Sequence, residues 1–195
     1  MSLLHACLRY SPPLEVVVKM VNMFPDRTST LRAQDCMGRT PLHIAAACDA
    51  DPMVIKLLGS ANPSTCNILD QDGRTPLHLA CDRSCSILDE NDTQSRPQQH
   101  DTPSYGAVRA LLSESLSPAL IEDEDGMSAL EYAIISDASI EVVNLLQKAT
   151  MESHQEREKL RSNKKRRLLD GTTTTADIGT GSAVTKQRRV GILRV

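Results

Sequence analysis

One eight-residue string occurs twice in this chain. Gly38-Arg39-Thr40-Pro41-Leu42-His43-Ile44-Ala45 and Gly73-Arg74-Thr75-Pro76-Leu77-His78-Leu79-Ala80 agree at seven of eight positions, 35 residues apart. Leu4-His5-Ala6-Cys7 reads as an earlier copy without its front half, and Gly126-Met127-Ser128-Ala129-Leu130-Glu131-Tyr132-Ala133 as a later, degenerate one. A second half-motif follows each first one: Val16-Val17 with Met20-Val21, Met53-Val54 with Leu57-Leu58, Ala107-Val108 with Leu111-Leu112, and Val142-Val143 with Leu145-Leu146. Pairs three or four residues apart share one helical face. A unit of this length cannot bury its apolar face alone, so stacked neighbours must supply one continuous core.

Each unit has a mechanical reading. The Asp-x-x-Gly tips, Asp35 to Gly38, Asp70 to Gly73 and Asp123 to Gly126, suit tight turns, because Asp bonds nearby amides and Gly accepts positive φ. Thr40 and Thr75 stand as helix N-caps, with Pro41 and Pro76 at the first helical position. Two short antiparallel helices follow. Three Tyr, one Phe and no Trp make a sheet-based core a poor alternative.

Period and signature resemble the ankyrin repeat. The resemblance runs from about Ser2 to Ala149 as four repeats, two sharp and two worn. It implies an all-α ankyrin-repeat solenoid with β-turn tips over residues 1–150, divided near 1–33, 34–68, 69–121 and 122–150. Against a period of about 33 residues, the histidine-slot intervals of 38, 35 and 53 residues put the largest excess in the third repeat, as an insertion at 84–104. It also implies that the motif histidine bonds into the turn of a neighbouring repeat, a role for His43 and His78. Glu131 replaces it in the fourth repeat. Binding in such solenoids falls on the turn tips and the exposed side of the first helices. Those positions are Met37, Arg39 and Cys48, then Gln71, Asp72, Arg74, Asp82 and Arg83, then Glu124, Asp125 and Met127. Arg39 and Arg74 are equivalent and are expected to project in parallel, one repeat apart.

The net charge of -3 argues on its face against a nucleic-acid binder. It is the sum of two unlike parts. Residues 1–151 carry 11 Lys+Arg against 20 Asp+Glu, a net of -9, while residues 152–195 carry 11 against 5, a net of +6. The last repeat helix is expected to continue as a basic helical extension over 151–170, followed by a disordered tail over 171–195. No coiled coil is expected there, because Leu160, Leu168 and Leu169 sustain no heptad. Lys164-Lys165-Arg166-Arg167 fits a nuclear-import signal read by an import receptor. The plain alternative is a solvated helix end, with cations at its negative pole. Lys186-Gln187-Arg188-Arg189 is a smaller basic group. Residues 152–195 hold no aromatic residue, so base stacking is not available to them. The polar insertion reads as a disordered loop. Its Asn91-Asp92-Thr93 sequon would meet no glycosylation machinery inside a cell, and Thr102-Pro103 reads as a loop proline.

No catalytic, cofactor or metal site is expected. His78 and Cys81 are explained by the repeat, and Cys85 brings no fourth ligand at zinc spacing. Glu122-Asp123-Glu124-Asp125 lacks the ligand pattern of a calcium loop. The six cysteines read as free thiols packing as small hydrophobes. No apolar run reaches membrane-spanning length, and no secretory signal is visible. Leu3, Leu4, Cys7 and Leu8 combine with Val16, Val17, Met20 and Val21 into an apolar N-terminal end, which predicts self-association or poor solubility. The expectation for function is a non-catalytic adaptor, cytoplasmic or nuclear, binding a protein through its concave face and tips. The alternative is a nuclear regulatory factor whose acidic body masks or presents the basic import signal.

Overall fold

The computed structural model describes residues 2–83 and 102–170, with side chains as far as 164. Most of the insertion, the sequon, Cys85 and the tail beyond 170 with its second basic group lie outside the described residues. The chain divides into two units, Met1–Arg157 and Glu158–Val195. The packing below concerns the first.

The described residues form α1 (Leu3–Leu8), α2 (Leu14–Met23), α3 (Arg27–Arg32), α4 (Pro41–Ala47), α5 (Pro52–Ala61), α6 (Pro76–Cys81), α7 (Tyr105–Glu114), α8 (Ala129–Ile135) and α9 (Ile140–Asp170), with 3₁₀ turns at Pro63–Asn67 and Ser117–Leu120. They contain no strand, only an isolated bridge between Glu122 and Ser128. Inner helices stack in the row α1, α4, α6, α8, and α2, α5 and α7 stack as an outer row. The residues between them form one continuous core, from Leu4 and Leu8 through Leu42, Leu58, Leu77 and Leu111 to Val142 and Leu146. Ala45, Ala80, Ala129 and Ala133 hold the inner contacts, where small side chains let helices approach closely.

Local chemistry sets the boundaries. Pro41 and Pro76 open α4 and α6 behind Thr40 and Thr75. Asp51 caps α5 by accepting the Met53 N–H at 2.7 Å. Two or three residues beyond each of three inner helices, α1, α4 and α8, a non-glycine residue takes the left-handed region: Ser11, Asp49 and Asp137, with φ of 46°, 52° and 51°. This recurring reversal sends the chain back into the outer helix. It is less costly at Asp, whose short polar side chain tolerates that region.

Two features depart from the sequence reading. The extra residues between the first two repeats form helix α3, capped by Asp26 and anchored by buried Leu31. At the N-terminal end, Leu4, Leu8, Val17 and Val21 are internal, Cys7 and Met20 are half-buried, and Leu3 and Val16 are exposed. Cys48, Cys66 and Cys81 are buried free thiols, and Cys36 is exposed. Burial pushes the Cys66 thiol up to about 11 and Cys81 to about 12, so both stay protonated and pack as small hydrophobes.

The motif histidines join one repeat to the next. His43 Nε2 lies 3.1 Å from the Arg74 carbonyl, which only accepts, so Nε2 carries the proton. Nδ1 is then the acceptor, and it takes the Thr40 N–H at 3.1 Å and the Thr40 hydroxyl at 2.8 Å. His78 repeats this arrangement with Thr75 and the Met127 carbonyl, at 3.2 Å. His5 reaches the Arg39 carbonyl at 2.9 Å.

Burial pushes the His43 ring down from its ordinary value to about 4, against the opposing pull of the Arg74 carbonyl and Asp70. His78 is lowered for the same reason, against Asp123. In the unfolded chain each ring protonates near 6.5. The unfolded state therefore binds more protons between that value and about 4, and native stability falls as pH drops through this window. His43 alone should cost about 2–3 kcal/mol by pH 4.5. Urea titrations at pH 7.5 and 4.5 should show this loss, and His43→Gln should shrink it. Equal stability at both pH values would contradict the buried neutral ring.

Candidate functional site

The candidate surface is the edge formed by the turn tips and inner helices. Each tip is built by one aspartate. Asp35 Oδ1 accepts the N–H groups of Met37 and Arg39 at 2.8 and 2.9 Å. Asp70 Oδ1 takes Asp72 and Arg74 at 3.0 and 2.8 Å, and Asp123 Oδ1 takes Asp125 and Met127 at 3.0 and 2.9 Å. Gly38, Gly73 and Gly126 close these turns with φ of 73°, 75° and 75°, where a side chain would be strained. Consecutive tips are tied by backbone. The Gln71 N–H donates to the Met37 carbonyl at 3.0 Å, and the Glu124 N–H to the Asp72 carbonyl at 3.1 Å. The Gln71 amide adds a bond to the Cys36 carbonyl at 2.9 Å.

Met37, Gln71, Asp72, Glu124 and Asp125 are exposed along this edge. The remaining expected contact residues are turned to internal work. Arg39 and Arg74 do not run parallel into solvent; both fold onto the Asp70 carboxylate, with Nε to Oδ2 distances of 3.9 and 3.6 Å. Arg74 also pairs with Asp72 and lies 3.5 Å from Asp82. The Asp70 side chain is 1% exposed. Asp82 and Cys48 are buried, and the Cys48 carbonyl accepts the Ser11 hydroxyl at 3.1 Å. Arg83 is half-buried and gives its N–H to Ser136 Oγ at 3.1 Å. Met127 is half-buried, and its carbonyl receives the His78 ring.

The fourth repeat closes differently. Glu131 Oε2 accepts the Ser128 N–H at 2.7 Å and the Ser128 hydroxyl at 2.8 Å. The cap is kept, while a ring donor to a following repeat is lost. These bonds hold the Glu131 carboxyl below its ordinary value. Tyr132, not singled out by the sequence reading, gives its hydroxyl to Asp123 Oδ2 at 2.7 Å and sets its ring edge-on to His78, centroids 6.0 Å apart. Burial and the Asp123 carboxylate raise the Tyr132 hydroxyl. Asp123 itself is opposed by burial but held low overall by the Tyr132 hydroxyl and the tip N–H groups. In the basic stretch, Lys164 is exposed on α9, and the side chains of Lys165, Arg166 and Arg167 lie outside those described.

Residues 31–80 match the family model described as ankyrin repeats in many copies. No curated protein matches the sequence significantly. Among 217 solved chains that match is the ankyrin repeat domain of Bcl-3, described as a unique member of the IkappaB protein family. It is similar to this chain with a TM-score of 0.57 and 27% identity. The match covers 76% of this chain and 56% of that one, so the chain spans little more than half of that relative.

Asp70 is the test of the internal ion network. Asp70→Asn removes a buried carboxylate from between two guanidinium groups and should cost about 2–3 kcal/mol in urea unfolding. Asp72→Asn, at the exposed end, should cost under about 1 kcal/mol. Equal effects would contradict the assignment.

Proposed function

This chain belongs to the ankyrin-repeat family and has a protein-interaction role, and on that premise we propose that it is a non-catalytic adaptor gripping a basic segment of a partner along its tips and concave face. One observation carries the reading. Met37, Gln71, Asp72, Glu124 and Asp125 are exposed on tips held in register by backbone bonds, while Arg39 and Arg74 are drawn inward by Asp70. The edge is therefore preorganised and acidic. A partner's lysines and arginines meet Glu124 and Asp125 directly, while Asp72 is shared with Arg74. The net charge of -9 over residues 1–151 adds long-range attraction for such a segment, screened beyond about 10 Å at 0.1 M salt. Cys48 and Asp82 drop out as contacts on this reading, because they are buried. Arg83 and Met127 contribute at most partial surface.

The second reading is nuclear regulation, in the cytoplasm and nucleus, with Lys164 to Arg167 as the import signal. It is favoured by the exposed Lys164 on α9 and by the likeness to an IkappaB-family domain. No described helix is long and apolar enough to cross a membrane.

One comparison separates the readings. The wild type, a Met37→Lys/Asp72→Lys variant and a Lys164-to-Arg167 alanine variant are purified from cells with their partners and imaged. The adaptor reading predicts that the tip variant loses its partners at least tenfold while its melting temperature stays within a few degrees. Unchanged partners would overturn it. The import reading predicts nuclear depletion of the alanine variant alone, and unaltered distribution would overturn that.

A further inference from the structure

The repeats stack through the same register points each time, and the fourth repeat presents all of them uncovered among the described residues. The first is the tip glycine. A Cβ placed on Gly38 or Gly73 would meet the backbone of the following tip at 3.1 Å, but on Gly126 it would meet nothing within 4 Å. The second is the tip carbonyl. Met37 and Asp72 carbonyls accept the N–H of the next tip, whereas no hydrogen bond among the described residues ends on the equivalent Asp125 carbonyl. The third is the histidine slot, where Glu131 replaces the ring. The fourth is the inner-helix stripe. Leu8, Ala46 and Cys81 hold equivalent positions, three residues after the slot histidine, and all are buried. Ile134 holds that position in the fourth repeat and is 58% exposed. Ile135 beside it is 71% exposed, and Ile140 at the start of α9 is 70% exposed.

We propose that this end face is a second docking surface, fitted to a basic and apolar segment of a partner protein. The apolar half follows from the isoleucines, two of which lie side by side where the other repeats are covered. The basic half follows from a reversal of hydrogen-bond roles. In the first three repeats the slot donates, from a ring nitrogen to a carbonyl of the next repeat. Glu131 can only accept when ionised. Both of its bonds end on Oε2, and no hydrogen bond among the described residues ends on Oε1. A further repeat of the same kind would set its carbonyl against a carboxylate, two acceptors face to face. An arginine or lysine satisfies the slot instead, and a backbone N–H satisfies the Asp125 carbonyl. The setting agrees in charge, because residues 122–150 hold seven Asp+Glu against Lys148 alone. A second copy docking through the same face would bring these carboxylates together. The surface is separate from the tips at Met37 and Asp72, so it stands if the adaptor reading of those tips fails.

The test uses the full chain labelled on isoleucine methyls and backbone amides. The probes are three fluorescent synthetic peptides of twelve residues with identical leucine spacing, whose polar positions are lysine, glutamine or glutamate. The lysine peptide should bind at least tenfold more tightly than the others. It should move the Ile134 and Ile135 methyl signals and the Asp125 and Gly126 amides. Ile134→Ser/Ile135→Ser should weaken it at least tenfold with the melting temperature unchanged, because these side chains are exposed. Glu131→Gln, which keeps an acceptor for the Ser128 cap but loses the charge, should weaken it severalfold. Equal binding of the three peptides, or binding indifferent to these substitutions, overturns the proposal. So do Ile134 signals that move on dilution, which put a second copy there, or on removal of residues 171–195, which put the chain's own tail there.

Discussion

One hydrogen-bonded ring holds this fold in register. Each motif histidine closes the cap of its own helix through Nδ1 and donates through Nε2 to a carbonyl in the following tip. The two bonds are coupled, because only one tautomer makes both. A helix of six or seven residues cannot hold itself in water, since nucleation costs more than so few bonds return. The cap and the link to the neighbour solve that problem together. The small inner-helix residues then bring successive helices close, and the shared leucine core follows.

The tips inherit their order from this linkage. Once the His43 ring fixes the Arg74 carbonyl, the aspartate of that tip takes up the N–H groups around it. Its second oxygen faces the arginines of two adjacent repeats. An identical Gly-Arg-Thr-Pro string therefore yields a paired cluster rather than two free cations. Charge left along the tips is acidic, and the edge offered to a partner is shaped by backbone rather than by long flexible side chains.

Much of the architecture was legible in sequence. Gly38-to-Ala45 and its copy encode turn, cap and inner helix within eight residues, and the paired apolar residues mark the outer helices. Helix α3 was not, because Arg27–Arg32 carries only Leu31 as an apolar anchor and relies on the Asp26 cap. The candidate edge was half legible. Position within the repeat singled out the tips, and Met37, Gln71, Asp72, Glu124 and Asp125 are exposed there. It could not tell that Arg39 would reach across to Asp70, since that contact depends on how closely the next tip stacks. Asp82 and Cys48 illustrate the same limit, because neighbouring chain covers both. Tyr132 sits in a recognised copy of the motif, yet its bond to Asp123 spans a turn whose closure periodicity does not report.

The stack propagates only while each slot donates and each next tip accepts. Glu131 ends that alternation and turns the final slot into an acceptor, which is why the last repeat differs in kind from those before it. The most direct measurement of the linkage is a nitrogen-15 NMR titration of the histidine rings in the folded chain. The account predicts that His43 holds its proton on Nε2 and stays neutral until pH falls to about 4. A ring that carries its proton on Nδ1, or that titrates near 6.5 while the chain remains folded, would contradict it.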